Sequence, residues 1–145
     1  MIDLIEALSY TIKKEFEGES MSFEEDGIVQ IDQEELRELI LTGAKEPILI
    51  DVRELDEYEE GHIPGVPLIP MNTIPSFADD FDRTSSYVFI CRSGKRSQNV
   101  ARYLKEQGML NVRNFAGGML SWQGEVKEGL EWIVKQTDEL YKDRK

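Results

Sequence analysis

The sequence predicts an α/β domain: a central parallel sheet of about five strands with helices on both faces, extended at each end by a helical segment. Three observations carry this reading. Two continuous apolar runs, "PILIDV" (47–52) and "YVFIC" (87–91), have the length and composition of strands buried on both faces. Stretches with helical spacing separate the apolar runs from one another. Strands that alternate with helices in this way assemble into a parallel sheet with the helices packed over it.

The elements follow in order. Residues 2–16 place Ile5, Leu8, Ile12 and Phe16 on one helical face, and "EGESMSFEEDG" (17–27) reads as an acidic linker, so residues 1–27 form a terminal extension. "IVQI" (28–31) is a short strand. "DQEELRELILTG" is a helix with Asp32 as N-cap, Glu35 at the capping-box position and Gly43 as its stop. After "PILIDV", the stretch "RELDEYEEGHIPGV" is a helical turn ending at Gly61, followed by a tight turn. "PLIPM" reads as a brief strand and "PSFADDF" as a short helix opened by Pro75. "YVFIC" is the second buried strand, "SQNVARYLKEQG" a helix stopped by Gly108, "VRNF" a last strand and "GGMLSWQG" a short helix. These make the body, residues 28–124. In residues 125–145, Val126, Leu130, Ile133, Val134, Thr137, Leu140 and Tyr141 recur at helical spacing and predict a C-terminal amphipathic helix. The two terminal stripes are expected to pack on the domain itself, giving a monomer in preference to a homodimer.

The chain has 145 residues and a net charge of −12, which suits one acidic domain and disfavours nucleic acid and anionic membranes as partners. A single cysteine forms no internal disulfide, and one histidine anchors no ordinary zinc site, so neither a metal nor a cofactor is expected. "MIDLIEALSY" lacks the layout of a signal peptide, and a cytoplasmic protein is the natural expectation. The charge is uneven. Residues 1–60 hold 19 acids against 5 bases, whereas residues 61–124 hold 4 acids against 7 bases.

The basic segment carries the only thiol. In "FICRSGKRSQNVARYL", Cys91 ends a predicted central strand, and Arg92, Ser93, Gly94, Lys95, Arg96 and Ser97 lead into a helix. Ligands of open α/β sheets bind beyond the carboxyl ends of the strands, which is where Cys91 falls. The thiolate is the nucleophilic form of cysteine, and cations and a helix N-terminus both favour it. Gly94 allows a left-handed turn that curls backbone amides around an anion. Ordinary packing gives no reason for three cations and a glycine at that place. His62 lies in "GHIPG" and reads as a turn histidine with local hydrogen bonds. With neither a neighbouring base nor a second cysteine, the nucleophile depends on the loop for activation and on an outside acceptor for discharge.

Three segments together resemble the rhodanese family of sulfurtransferases, in its single-domain form. "ILIDVRELDEYEEGHIPGVPLIP" is similar to the first family motif, "CRSGKRS" to the active-site loop, and "FAGGMLSWQG" to the closing Gly-Gly and tryptophan motif. The resemblance spans residues 28 to 124. It implies a rhodanese-like fold and a cycle in which Cys91 takes a sulfane sulfur from a donor, becomes a persulfide and passes that sulfur on. The loop from Arg92 to Ser97 would cradle the persulfide. Arg92, Lys95 and Arg96 would attract a small anionic donor such as thiosulfate, in preference to 3-mercaptopyruvate. The acceptor would be a thiol, cyanide or a protein. Asp51 and Arg53 match the first motif and are expected to brace the loop. Gly117, Gly118 and Trp122 are read as turning and packing residues.

Two rivals stand beside this reading. Cysteine phosphatases and arsenate reductases also set a thiolate under an anion-binding loop, but their usual pattern has five residues between cysteine and arginine. Here four separate Cys91 from Arg96. A non-catalytic module on the same fold would have no need to keep the cysteine with its cations.

Overall fold

The computed structural model describes residues 23–142. The elements that position the site are β1 (Glu24–Glu25), β2 (Ile28–Ile31), α1 (Gln33–Thr42), β3 (Ile48–Asp51), α2 (Leu55–Glu60), α3 (Ile74–Phe77), β4 (Tyr87–Ile90), α4 (Lys95–Glu106), β5 (Val112–Phe115) and α5 (Gly118–Ser121). The strand order is β1-β2-β5-β4-β3; all pairs are parallel except the antiparallel β1–β2 hairpin.

Alternation along each strand divides the core into two layers. Ile48, Ile50, Tyr87, Phe89 and Val112 face α4, which contributes Val100, Ala101 and Leu104. Ile31, Val88, Ile90 and Phe115 face the other way, onto Leu36 of α1 and the turn residues Ile63 and Val66. β4, at the centre, is buried at every position. Its apolar run is continuous because neither face meets water.

Most predicted elements stand where the sequence placed them. Asp32 caps α1 by accepting from the Glu35 amide at 2.9 Å, and Gly43 ends it in the left-handed region at φ 68°. α4 begins two residues earlier than the apolar periodicity indicated, at Lys95 rather than Ser97. "PLIPM" forms no ladder: Leu68 makes single bridges to Asp51 and Ile133.

Two readings are corrected. The end of the acidic linker is a strand: Glu24 and Glu25 pair with Val29 and Ile28 across a turn in which Asp26 and Gly27 have φ 53° and 79°. An Asp-Gly pair with both residues at positive φ is a hairpin turn matched to the twist of the sheet. The C-terminal segment is not an amphipathic helix. Lys127 exchanges backbone hydrogen bonds with His62, Trp132 and Val134 do so with Leu68, and among the described residues of the segment only Thr137–Leu140 makes a helical turn, of the 3-10 type. Gly129, at φ 101°, interrupts the stretch. Val134 and Leu140 enter the core one at a time, and Tyr141 hydrogen-bonds Tyr87 at 2.7 Å. Extended backbone that bonds to a neighbouring loop outweighs a helical spacing with a glycine in its middle. The N-terminal stripe, Ile5 to Phe16, lies outside the described residues. Among the described residues no helix is long and apolar enough to cross a membrane.

Candidate active site

Cys91 follows the last residue of β4, at the carboxyl edge of the sheet, and is fully buried. The loop turns two backbone donors toward the sulfur: the Gly94 amide lies 3.0 Å from Sγ and the Ser97 amide 3.4 Å. The Ser97 hydroxyl, 2.5 Å from Asn114 Oδ1, lies 3.3 Å from Sγ. Ser97 is in the first turn of α4, whose amides have no partner within the helix. The early start of α4 at Lys95 is what brings this turn over the sulfur.

Glycines let the loop close. Gly94 has φ 96°, and a Cβ there would sit 3.1 Å from the Gly117 amide nitrogen. Gly118 is tighter: a Cβ would lie 2.4 Å from the Cys91 carbonyl oxygen and 2.5 Å from that of Arg92. That closeness lets the Met119 and Leu120 amides donate to those carbonyls, at 2.8 and 3.0 Å. α5 holds the Cys91 and Arg92 carbonyls at the start of the loop whose Gly94 and Ser97 amides point at Sγ. The Gly-Gly pair thus shapes the cradle besides making a turn.

The predicted loop residues divide by position. Arg92, Ser93 and Lys95 are exposed on the rim. Arg92 and Lys95 make no ion pair among the described residues. Arg96 is differently placed. Its guanidinium grips Glu57 of α2 with two hydrogen bonds of 2.8 and 2.9 Å, so it is not free at the rim to attract an anion. The bidentate pair holds the Glu57 carboxyl down to about 2, from the ordinary 4.5. It raises Arg96 above its usual value, with a smaller contribution from attraction to Cys91. Asp51 and Arg53 form a buried ion pair. Arg53 Nε and Nη2 donate to the Asp51 carboxylate at 2.8 to 3.1 Å, and Nη2 also reaches the Gly61 carbonyl at 2.8 Å. One guanidinium therefore ties the end of β3 to the end of α2, the helix that carries Glu57. His62 is a turn residue, stacked on Tyr58, with its ring nitrogens 2.9 Å from the Tyr58 carbonyl and from Glu131.

The sequence reading missed a set of buried amides beneath the loop. Asn114 of β5 lies 2.5 Å from the Ser97 hydroxyl, and it donates to Gln30 of β2 and to the Gly94 carbonyl. A signal was present: Gln30 and Asn114 are polar residues inside short apolar strands of a two-sided sheet, where a polar side chain calls for a reason.

In a comparison with protein families, residues 32–125 match the rhodanese-like domain. The chain belongs to the rhodanese-like family. Among curated relatives, the protein YtwF of Bacillus subtilis is 47% identical over 100 residues, covering 64% of this chain and 96% of its own length. A protein of Allochromatium vinosum named sulfurtransferase is 34% identical over 107 residues, covering 74% of this chain and 96% of its own. Among solved structures, a rhodanese-like domain protein from Staphylococcus aureus superposes with a TM-score of 0.60 at 35% identity, covering 68% of this chain and 96% of that one. For this rhodanese-like chain the family match and the fold agree with the resemblance carried by the three motifs.

Proposed function

We propose that this chain is a sulfurtransferase in which Cys91 carries the transferred sulfur as a persulfide. The observation that carries the reading is the cradle itself. Two backbone amides converge on a buried sulfur at the end of a central strand, under a rim that bears two cations without ion-pair partners among the described residues. The names of relatives support it: besides the Allochromatium protein, a Pseudoalteromonas translucida protein, 30% identical over 93 residues, is named thiosulfate sulfurtransferase.

The chemistry follows from the charges. The Cys91 thiolate attacks the outer sulfur of a donor such as thiosulfate. The donor's S–S bond breaks, sulfite leaves with the electron pair, and a persulfide remains. The loop amides take up the negative charge, which now rests on the outer sulfur, and Arg92 and Lys95 offset the repulsion between anionic donor and anionic sulfur. An acceptor nucleophile (a thiol, cyanide or a protein thiolate) then takes the outer sulfur and returns the Cys91 thiolate.

The phosphatase reading is weaker for a structural reason. A loop that binds a tetrahedral oxyanion needs its arginine directed at the anion, and Arg96 is committed to Glu57. Intact-protein mass spectrometry after incubation with thiosulfate tests the proposal. The expected result is a gain of one sulfur atom, lost on adding cyanide and absent from Cys91→Ser. No added mass on the natural chain, or the same gain on Cys91→Ser, overturns it.

A further inference from the structure

The buried amides beneath the loop form a chain whose direction can be worked out. Gln98 of α4 donates from Nε2 to the Glu25 carbonyl at 2.8 Å. Gln30 donates from Nε2 to the Ile28 carbonyl at 3.0 Å and to Gln98 Oε1 at 2.7 Å. Asn114 donates from Nδ2 to the Gly94 carbonyl at 3.0 Å and to Gln30 Oε1 at 2.8 Å. Each amide thus has a backbone carbonyl against its nitrogen. A carbonyl only accepts, so none of the three amides can be turned over. Gln30, Gln98 and Asn114 are 2%, 7% and 3% exposed, and water does not substitute for these partners.

The consequence falls on Ser97. Asn114 Oδ1 is an acceptor, and its partner 2.5 Å away is the Ser97 hydroxyl. That hydroxyl has one proton. It also lies 3.3 Å from Cys91 Sγ, and it cannot donate to both.

We propose that Asn114, held by Gln30 and Gln98, is a positioning residue that keeps the Ser97 proton on its own side, so that Ser97 turns a lone pair toward Cys91. The unloaded cysteine then gives its S–H to Ser97, and the Gly94 and Ser97 amides are the donors left for a thiolate. The inner sulfur of a persulfide is uncharged, so the same arrangement favours the loaded form over the free thiolate. That last consequence rests on the sulfur-transfer reading; the placement of the proton does not.

The test is a double-mutant cycle on the unloaded protein, following thiolate absorbance in the ultraviolet against pH, with Cys91→Ser as blank. Cys91 is the only thiol, so the signal has one source. The charged groups around the sulfur are Arg92, Lys95, the Arg96–Glu57 pair and the Asp51–Arg53 pair on the neighbouring strand end; they are common to every protein in the cycle. Ser97→Ala should lower the titration midpoint by about half a pH unit, because it removes the acceptor of the thiol proton. Asn114→Leu should lower it by about one pH unit, because it frees the hydroxyl to donate to the thiolate. In the Asn114→Leu background, Ser97→Ala should therefore act with the opposite sign and raise the midpoint.

A rise on Ser97→Ala in the otherwise natural chain overturns the proposal, and so does the same sign in both backgrounds. If Asn114→Leu does not fold, the sign of Ser97→Ala alone decides, since alanine suits the first turn of α4. Sulfur loading on mass spectrometry is read separately. A protein that fails to load and still shows the reversal keeps the proton placement and loses the sulfur-transfer reading.

Discussion

Glu57→Gln removes one charge from the pair that fixes the loop to α2 and leaves the shape of the side chain intact. The Glu57 carboxyl is held at about 2 against an ordinary 4.5. Taken at about 1.4 kcal/mol per pH unit, a difference of that size corresponds to roughly 3 kcal/mol. The side chains of Arg96 and Glu57 are 31% and 27% exposed, so solvent screening reduces it, and about 1–2 kcal/mol is the realistic loss. For a chain of this length that lowers Tm by roughly 3–7 °C at neutral pH. The sign with pH follows from the direction of the shift. A lowered carboxyl stabilises the fold fully above 4.5, and the contribution fades as pH falls toward 2. Urea unfolding of both proteins at pH 7, 4.5 and 3 measures the gap. It should be widest at pH 7 and shrink by about half or more at pH 3. Turnover should fall as well, because Arg96 sits in the same turn as the Ser97 amide. A gap that stays constant across this range, or no gap at pH 7, would refute the assignment of this pair as the tether of the loop.

Two further outcomes follow from the loop. Arg92→Ala with Lys95→Ala should raise the donor KM about tenfold, since two exposed cations at about 0.5–1 kcal/mol each sum to that order; it should also flatten the rise of KM with salt, and an unchanged KM and salt slope would leave binding to the backbone alone. Gly118→Ala should cost about 2–4 kcal/mol and most of the turnover, because the residue has φ 57° and its Cβ would lie 2.4 Å from the Cys91 carbonyl oxygen; urea unfolding and steady-state kinetics check it, and a variant of native stability and rate would show that α5 does not set the cradle.

What the sequence could disclose depended on how local each cause was. β3 and β4 were legible because a strand buried on both faces is apolar without interruption, and the thiol was legible because its loop carries cations that packing does not require. The partner of Arg96 was not legible: "RELDEYEE" offers several acids, and which one Arg96 meets depends on how α2, held at its end by the contact between Arg53 and the Gly61 carbonyl, lies against the loop. The C-terminal segment misled for the opposite reason. Its apolar residues do recur at helical spacing, but each is taken separately by a different part of the body: Val134 beside the Leu68 bridge, Leu140 in the core, Tyr141 on Tyr87. A stripe on a helix face and a set of unrelated anchors look alike until something supplies the backbone partners. Gln30 and Asn114 show where the two kinds of cause meet. They face each other in the register of β2 and β5, a pairing between residues 84 positions apart in the chain. Their polarity inside apolar strands was visible in one dimension, and their purpose only when the sheet set them side by side beneath Ser97.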